Sequence, residues 1–138
     1  MIETYYHAEE GYNPFLIREG WQVAQLNYQP QNSLDNIDMV EVHKVTDEVF
    51  ILFKGQAVLI AADTVQENIT FECVNMKVGV TYNIPAGRWH NIAMSPDTEM
   101  IIVEKSNTHK TDCSYLYLED NDRQRLLNMI QQCSEKEL

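Results

Sequence analysis

The stretch Glu41-Val42-His43-Lys44-Val45-Thr46-Asp47-Glu48-Val49-Phe50-Ile51-Leu52-Phe53-Lys54-Gly55 sets metal-capable side chains against a strongly apolar run. Glu41 and His43 are two residues apart, so on an extended strand both face the same side. Thr46-Asp47 supplies turn chemistry, and a second strand opens at Glu48. From Glu48 to Lys54 the chain is rich in Val, Phe and Ile and stops at Gly55, which predicts a buried strand and not a solvated loop. A carboxylate leading such a strand is costly unless it is paired or coordinated. The spacing therefore predicts that Glu41, His43 and Glu48 converge on one side.

A second stretch answers the first. Gly79-Val80-Thr81-Tyr82-Asn83-Ile84-Pro85-Ala86-Gly87-Arg88-Trp89-His90 reads as a strand, a tight Pro/Gly turn and a return strand that begins with a histidine. Together the two stretches resemble the cupin superfamily. Glu41, His43, Glu48 and Gly55 fall on the first His, second His, Glu and closing Gly of its first motif, G-x5-H-x-H-x3 or 4-E-x6-G. Gly79, Pro85, Gly87 and His90 fall on its second motif, G-x5-P-x-G-x2-H-x3-N. Asp35 stands at the opening Gly position, Glu41 replaces the first His, and Met94 replaces the closing Asn. The resemblance covers the middle half of the chain. It implies an all-β, single-domain cupin-type jelly-roll β-barrel, to which the chain adds a C-terminal α-helix.

At 138 residues the chain is long enough for one domain with a sizeable core, and no second domain is expected. Its apolar runs, such as Val49 to Phe53, fall far short of a bilayer span. The first residues carry neither a basic flank nor an apolar core, so no secretory signal is expected and the cytoplasm is the expected compartment. The formal net charge of -11 opposes phosphate backbones and anionic membranes, so neither nucleic acid nor membrane is an expected partner. Cys73, Cys113 and Cys133 are odd in number and widely spaced, which reads as three reduced thiols.

Along the chain, residues 1–20 read as an N-terminal arm, because Gly11 and Asn13-Pro14 interrupt the aromatic segment from Tyr5 to Ile17. Residues 21–118 form the predicted barrel. Its strands run from Trp21 to Tyr28, from Met39, from Glu48 to Lys54, over Ala57–Ala62 as a hairpin partner of the preceding strand, and then over Ile69–Val74, Val78–Ile84, Trp89–Met94 and Glu99–Val103. Residues 119–138 read as a helix of the same domain, with Asn121 as N-cap, Gln124 as its reciprocal partner, and an apolar stripe of Leu126, Leu127, Ile130 and Cys133. The end, Ser134 to Glu137, is expected to fray. An aromatic-rich arm outside the barrel and open sheet edges together predict a homodimer.

In a jelly-roll cup, inward side chains of the two motifs meet, so His43, Glu48 and His90 are expected neighbours. Two imidazoles and a carboxylate suit a divalent Zn, Mn, Fe or Ni ion, with Glu41 as a fourth, harder ligand. The alternative is a metal-free pocket in which the same groups hydrogen-bond one another. His43 and His90 are then the candidate general acid and base beside Glu48. Arg88 and Trp89 read as surface salt bridge and core packing, and His7 and His109 as surface residues. Phe50, Leu52, Tyr82 and Ile84 are expected to line a cup suited to a small organic ligand. The resemblance implies an enzyme acting on a sugar derivative, a keto acid or a ureido acid by isomerisation, lyase chemistry or oxidation. The alternatives are a non-catalytic ligand-binding or sensor protein, and a vestigial cup on a working dimer surface.

Overall fold

In the computed structural model, which describes residues 1–136, the strands divide into two five-stranded antiparallel sheets. The first sheet runs in the order β1 (Gly11–Arg18), β2 (Trp21–Asn27), β9 (Glu99–Glu104), β4 (Glu48–Lys54) and β7 (Thr81–Ile84). The second runs β10 (Ser114–Tyr117), β3 (Met39–Val42), β8 (Trp89–Met94), β5 (Ala57–Val65) and β6 (Asn68–Asn75). Two helices follow β9, the short α1 (Thr108–Thr111) and the terminal α2 (Asp120–Ser134). No helix among the described residues is long and apolar enough to cross a membrane.

Strand alternation explains the layering. On β4 the residues Glu48, Phe50 and Leu52 turn inward, and on β9 Met100, Ile102 and Glu104 do the same. Of these, Phe50, Leu52, Met100 and Ile102 meet Leu59, Ile92 and Met94 from the second sheet in one core cluster. Residues Ala57 to Ala62 carry no such alternation, and the reason is visible: α2 covers the outer face of β5 and β6. There Val58, Ile60 and Ala93 pack against Leu126, Ile130 and Cys133. A strand buried on both faces reads as a continuous apolar run.

Three local expectations are corrected. β5 is not the hairpin partner of β4, because the chain leaves the first sheet at Gly55 and enters the second, where β5 pairs with β6 and β8. The supposed arm supplies β1, an edge strand on β2 whose register shifts between Asn13 and Leu16. A bulge on an edge strand is where Pro14 is tolerated, since no neighbour needs its missing N–H. Of the aromatic residues in that segment, Tyr5 packs on Phe15 and Tyr12 turns toward the core. The terminal helix starts at Asp120, with Glu119 as N-cap and no side-chain cap bond, so Asn121 lies inside the first turn. Of the expected helix 119–138, residues 137 and 138 lie outside the described residues, as does part of the segment expected to fray.

Residues 7–9 lie against the outer face of β2. Gln25 Nε2 and Asn27 Nδ2 both donate to the His7 carbonyl at 2.8 Å, and the His7 N–H donates to Gln25 Oε1 at 3.0 Å. These bonds satisfy two buried amides that a bare sheet face would leave without partners.

Gly55 makes the crossing between sheets. Its φ is +86°, and an added Cβ would sit 2.5 Å from the Thr98 Cα. Gly55→Ala is therefore expected to destabilise by at least about 2 kcal/mol, from positive-φ strain plus a clash with backbone that cannot yield. A urea midpoint unchanged from the native protein would contradict this account of the turn.

Candidate metal centre

The four candidate residues arrive from both sheets. Glu48 opens β4, in the first sheet, and points inward. His90 is the second residue of β8 and pairs directly with Glu41 of β3 in the second sheet. His43 stands one residue beyond the end of β3, in a loop held from outside the strand. The Asp112 carboxylate accepts the N–H groups of Lys44 and Val45 at 2.8 and 3.0 Å, and the His43 carbonyl accepts the Gly87 N–H at 2.7 Å. The Pro85–Gly87 turn before β8 is itself fixed by Asp47, whose carboxylate accepts the Ala86 N–H at 2.9 Å. The loop that carries His43 and the turn that leads into His90 thus hold each other.

One ligand atom from each of Glu41, His43, Glu48 and His90 lies within 4.8 Å of all the others. Glu48 Oε2 is the centre, 2.9 Å from His43 Nε2 and 2.8 Å from His90 Nε2. Glu41 Oε1 is farther out, 4.0 Å from His43 Nε2 and 3.7 Å from His90 Nε2, and it is the most exposed of the four.

The tautomers follow from the outer partners. His43 Nδ1 lies 2.6 Å from the Asp112 carbonyl, and His90 Nδ1 lies 3.0 Å from the Arg88 carbonyl. A carbonyl only accepts, so both Nδ1 atoms carry hydrogen and donate it. Each neutral ring then presents its Nε2 lone pair to Glu48. Two lone pairs facing one carboxylate oxygen repel unless a cation stands among them, and that cation is either a proton on each ring or a metal ion. Pinning Nδ1–H to a carbonyl is how a protein orients an imidazole toward a metal. The donor set of two imidazoles and two carboxylates fits a first-row divalent ion.

Without metal, protons fill the role. Burial alone would depress both histidines, but the Glu48 hydrogen bond and charge outweigh it, raising His43 to about 9 and His90 above its ordinary value. Burial would likewise raise Glu48, yet the two imidazoles hold it down at about 2. Two imidazolium groups and two carboxylates cancel, so the metal-free cluster is close to neutral.

The cluster forms one wall of a cavity of about 480 Å³ that Phe50, Ile102, Tyr12, Glu104 and His109 also line. Leu52 and Ile84 pack in the core beyond it, with Tyr82 half-buried against them, so of the expected apolar lining only Phe50 faces the cavity. Arg88 is exposed, and Trp89 packs on the outer face against Val40, Ala62 and Ile69.

His109 is a correction, because it lies in the cavity wall and not on the open surface. Glu104 was not anticipated, and its signal was faint: as the last residue of β9 it continues the inward alternation of Met100 and Ile102. Cys113 also lines the cavity and donates to Glu41 Oε2 at 3.3 Å.

No protein-family model and no curated protein matches the chain in sequence. Its structure is similar to an RmlC-like cupin family protein with a double-stranded β-helix fold from Methanocaldococcus jannaschii, with a TM-score of 0.55 and 19% identity over 80% of this chain and 96% of that one. It is also similar to a protein described as oxalate oxidase, with a TM-score of 0.50 and 12% identity over 82% of this chain and 64% of that one. A vicilin from tomato matches 72% of this chain at 20% identity with a TM-score of 0.47, and the chain spans 26% of that protein's length. The two antiparallel sheets and the first two of these likenesses show that the chain has the cupin jelly-roll fold.

Proposed function

We propose that the cavity binds a small polar metabolite beside a divalent metal held by Glu41, His43, Glu48 and His90, and that the protein is an enzyme acting on that metabolite. The observation that supports this is the pair of Nδ1–H groups committed to backbone carbonyls, which leaves two Nε2 lone pairs and two carboxylates directed at one point on the cavity wall. A divalent ion there supplies a Lewis acid that polarises a carbonyl or hydroxyl oxygen. The chain's own groups do the rest. Phe50 and Ile102 supply apolar lining, and the Asp112 and Arg88 carbonyls hold the two imidazoles in orientation. Sugar derivatives, keto acids and ureido acids are the substrate classes to screen.

The test is metal analysis of the purified protein before and after dialysis against Zn, Mn, Fe and Ni, followed by turnover assays on the three classes. Failure to retain any of the four ions would defeat the metal assignment. Glu41→Ala is expected to weaken metal affinity by about 10-fold, less than loss of a buried ligand, because Glu41 is partly exposed and stands off from both imidazoles. Unchanged affinity would remove Glu41 from the set. The hydrogen bonds by which Glu48 already satisfies both imidazoles support a second reading, a ligand-binding protein that works without metal. In that case ligand affinity is indifferent to chelators.

A further inference from the structure

The cavity carries a second polar cluster, and Gln22 organises it. Gln22 Oε1 accepts the Asn107 N–H at 2.7 Å, which fixes the amide and turns its Nε2 end toward three other groups. Nε2 lies 3.1 Å from Glu104 Oε1, 3.0 Å from the Tyr12 hydroxyl oxygen and 3.1 Å from His109 Nδ1. Tyr12 in turn donates to Glu104 Oε1 at 2.6 Å, so one N–H of Gln22 serves that pair and the other serves His109. A donor facing Nδ1 requires that nitrogen to be bare. His109 is therefore a neutral imidazole with its hydrogen on Nε2, and burial together with the Lys110 charge pushes its pKa in the same direction, downward. Among the described residues that Nε2–H has no protein partner at hydrogen-bond distance, while the ring lines the cavity.

Charge narrows what fits. Asp38, Glu41, Glu48 and Glu104 line the cavity, and among the described residues no Lys or Arg does. A divalent ion at the candidate centre is already balanced by Glu41 and Glu48, and so are two protons on His43 and His90. Neither state leaves positive charge to spare. Glu104 lies one step along the β4–β9 ladder from Val49–Val103, beside Glu48 on the inner face, so a ligand anion in the cavity meets a second carboxyl group there. The surrounding chain, at -11, repels anions at longer range as well.

We propose that the cavity takes an uncharged, hydroxyl-rich compound of monosaccharide size, one end at the Glu41, His43, Glu48 and His90 cluster, with an oxygen elsewhere on it accepting a hydrogen bond from His109 Nε2–H. The inference deepens the reading of the cavity as a ligand site and names the substrate class within it. A carboxylate or phosphate ester is disfavoured by the same wall that accepts a sugar or polyol.

Calorimetric titration of the full chain, with and without added Mn or Zn, tests it with D-mannose, D-xylose and myo-inositol as neutral probes and mannose 6-phosphate and 2-oxoglutarate as anionic ones. At least one neutral probe is expected to bind about tenfold or more tighter than either anion. His109→Ala is expected to weaken that probe by roughly three- to tenfold, the loss of one neutral hydrogen bond, with metal content unchanged. His109→Gln, which keeps an N–H donor, is expected to recover part of the loss. Tighter binding of the phosphate or keto acid, no neutral binding at millimolar concentration, or native affinity in both His109 variants would overturn the inference. A chain that takes up no metal yet shows the neutral preference and the His109 dependence defeats the metal assignment and supports this one. Metal uptake with an anion preference does the reverse.

Discussion

Glu48→Gln is expected to lower divalent-metal affinity by at least about 100-fold, since loss of even an outer-shell partner costs about 10–100-fold and Glu48 is nearer than that. The same substitution should bring the His43 titration down from about 9 to 6.5 or below. Both effects have one cause. Glu48 Oε2 faces both Nε2 atoms at hydrogen-bond distance, and its charge is what overcomes the burial that otherwise disfavours imidazolium. The Gln amide keeps the volume and removes the charge, so two buried rings lose their counter-ion and shed their protons. Ring-proton chemical shifts followed against pH would measure the titration, and competition with a chromogenic chelator the metal affinity. A His43 that still titrates near 9 in Glu48→Gln would show that Glu41 and the Asp112 carbonyl, not Glu48, hold its proton.

The second large effect is with pH. In the metal-free protein, His43 is raised from 6.5 to about 9, so its contribution to stability is full below 6.5 and is lost as pH rises through about 9. Glu48 is lowered from 4.5 to about 2, so its contribution is full above 4.5 and is lost as pH falls through about 2. The two overlap between 4.5 and 6.5, where the metal-free chain should be most stable. From there to pH 9 the loss should be on the order of 2 kcal/mol, read as a falling urea midpoint, and Glu48→Gln should flatten that limb. Metal reverses the alkaline trend. Imidazole binds metal only as the neutral base, so uptake near pH 7 should release protons, affinity should fall as pH drops, and the release should fade above about 9. Titration in two buffers of different ionisation enthalpy counts the protons, and proton-neutral uptake at pH 7 would contradict the site as described.

Most strands were legible because the chain alternates. β4 begins at Glu48 and ends at Lys54 as the apolar run implied, and β8 spans Trp89 to Met94 as its flanking turn implied. Where reading failed, the deciding contact was remote. Gly55 and Gln56 look like a two-residue hairpin loop, and nothing local distinguishes a hairpin from a corner between two sheets. The distinction is made by Thr98, forty-three positions beyond Gly55, against which the glycine lies. Gly11 and Asn13-Pro14 read as breaks that leave an arm, yet an edge strand with a bulge accepts the proline. The four clustered residues were found because the motif spacing encodes them. His109 and Glu104 were not, since their surroundings are set by Gln22 and Tyr12 from the other end of the chain.

Glu48 belongs to one sheet, and Glu41 and His90 to the other. The Glu48–His90 bond is thus also a rivet through the sandwich, in a chain whose cysteines are all free. A survey of substitutions scored by activity alone would count Glu48 and His90 among the chemistry even where the fault was two sheets drifting apart. Abundance of folded protein, measured beside activity for every variant, separates the rivet from the reagent.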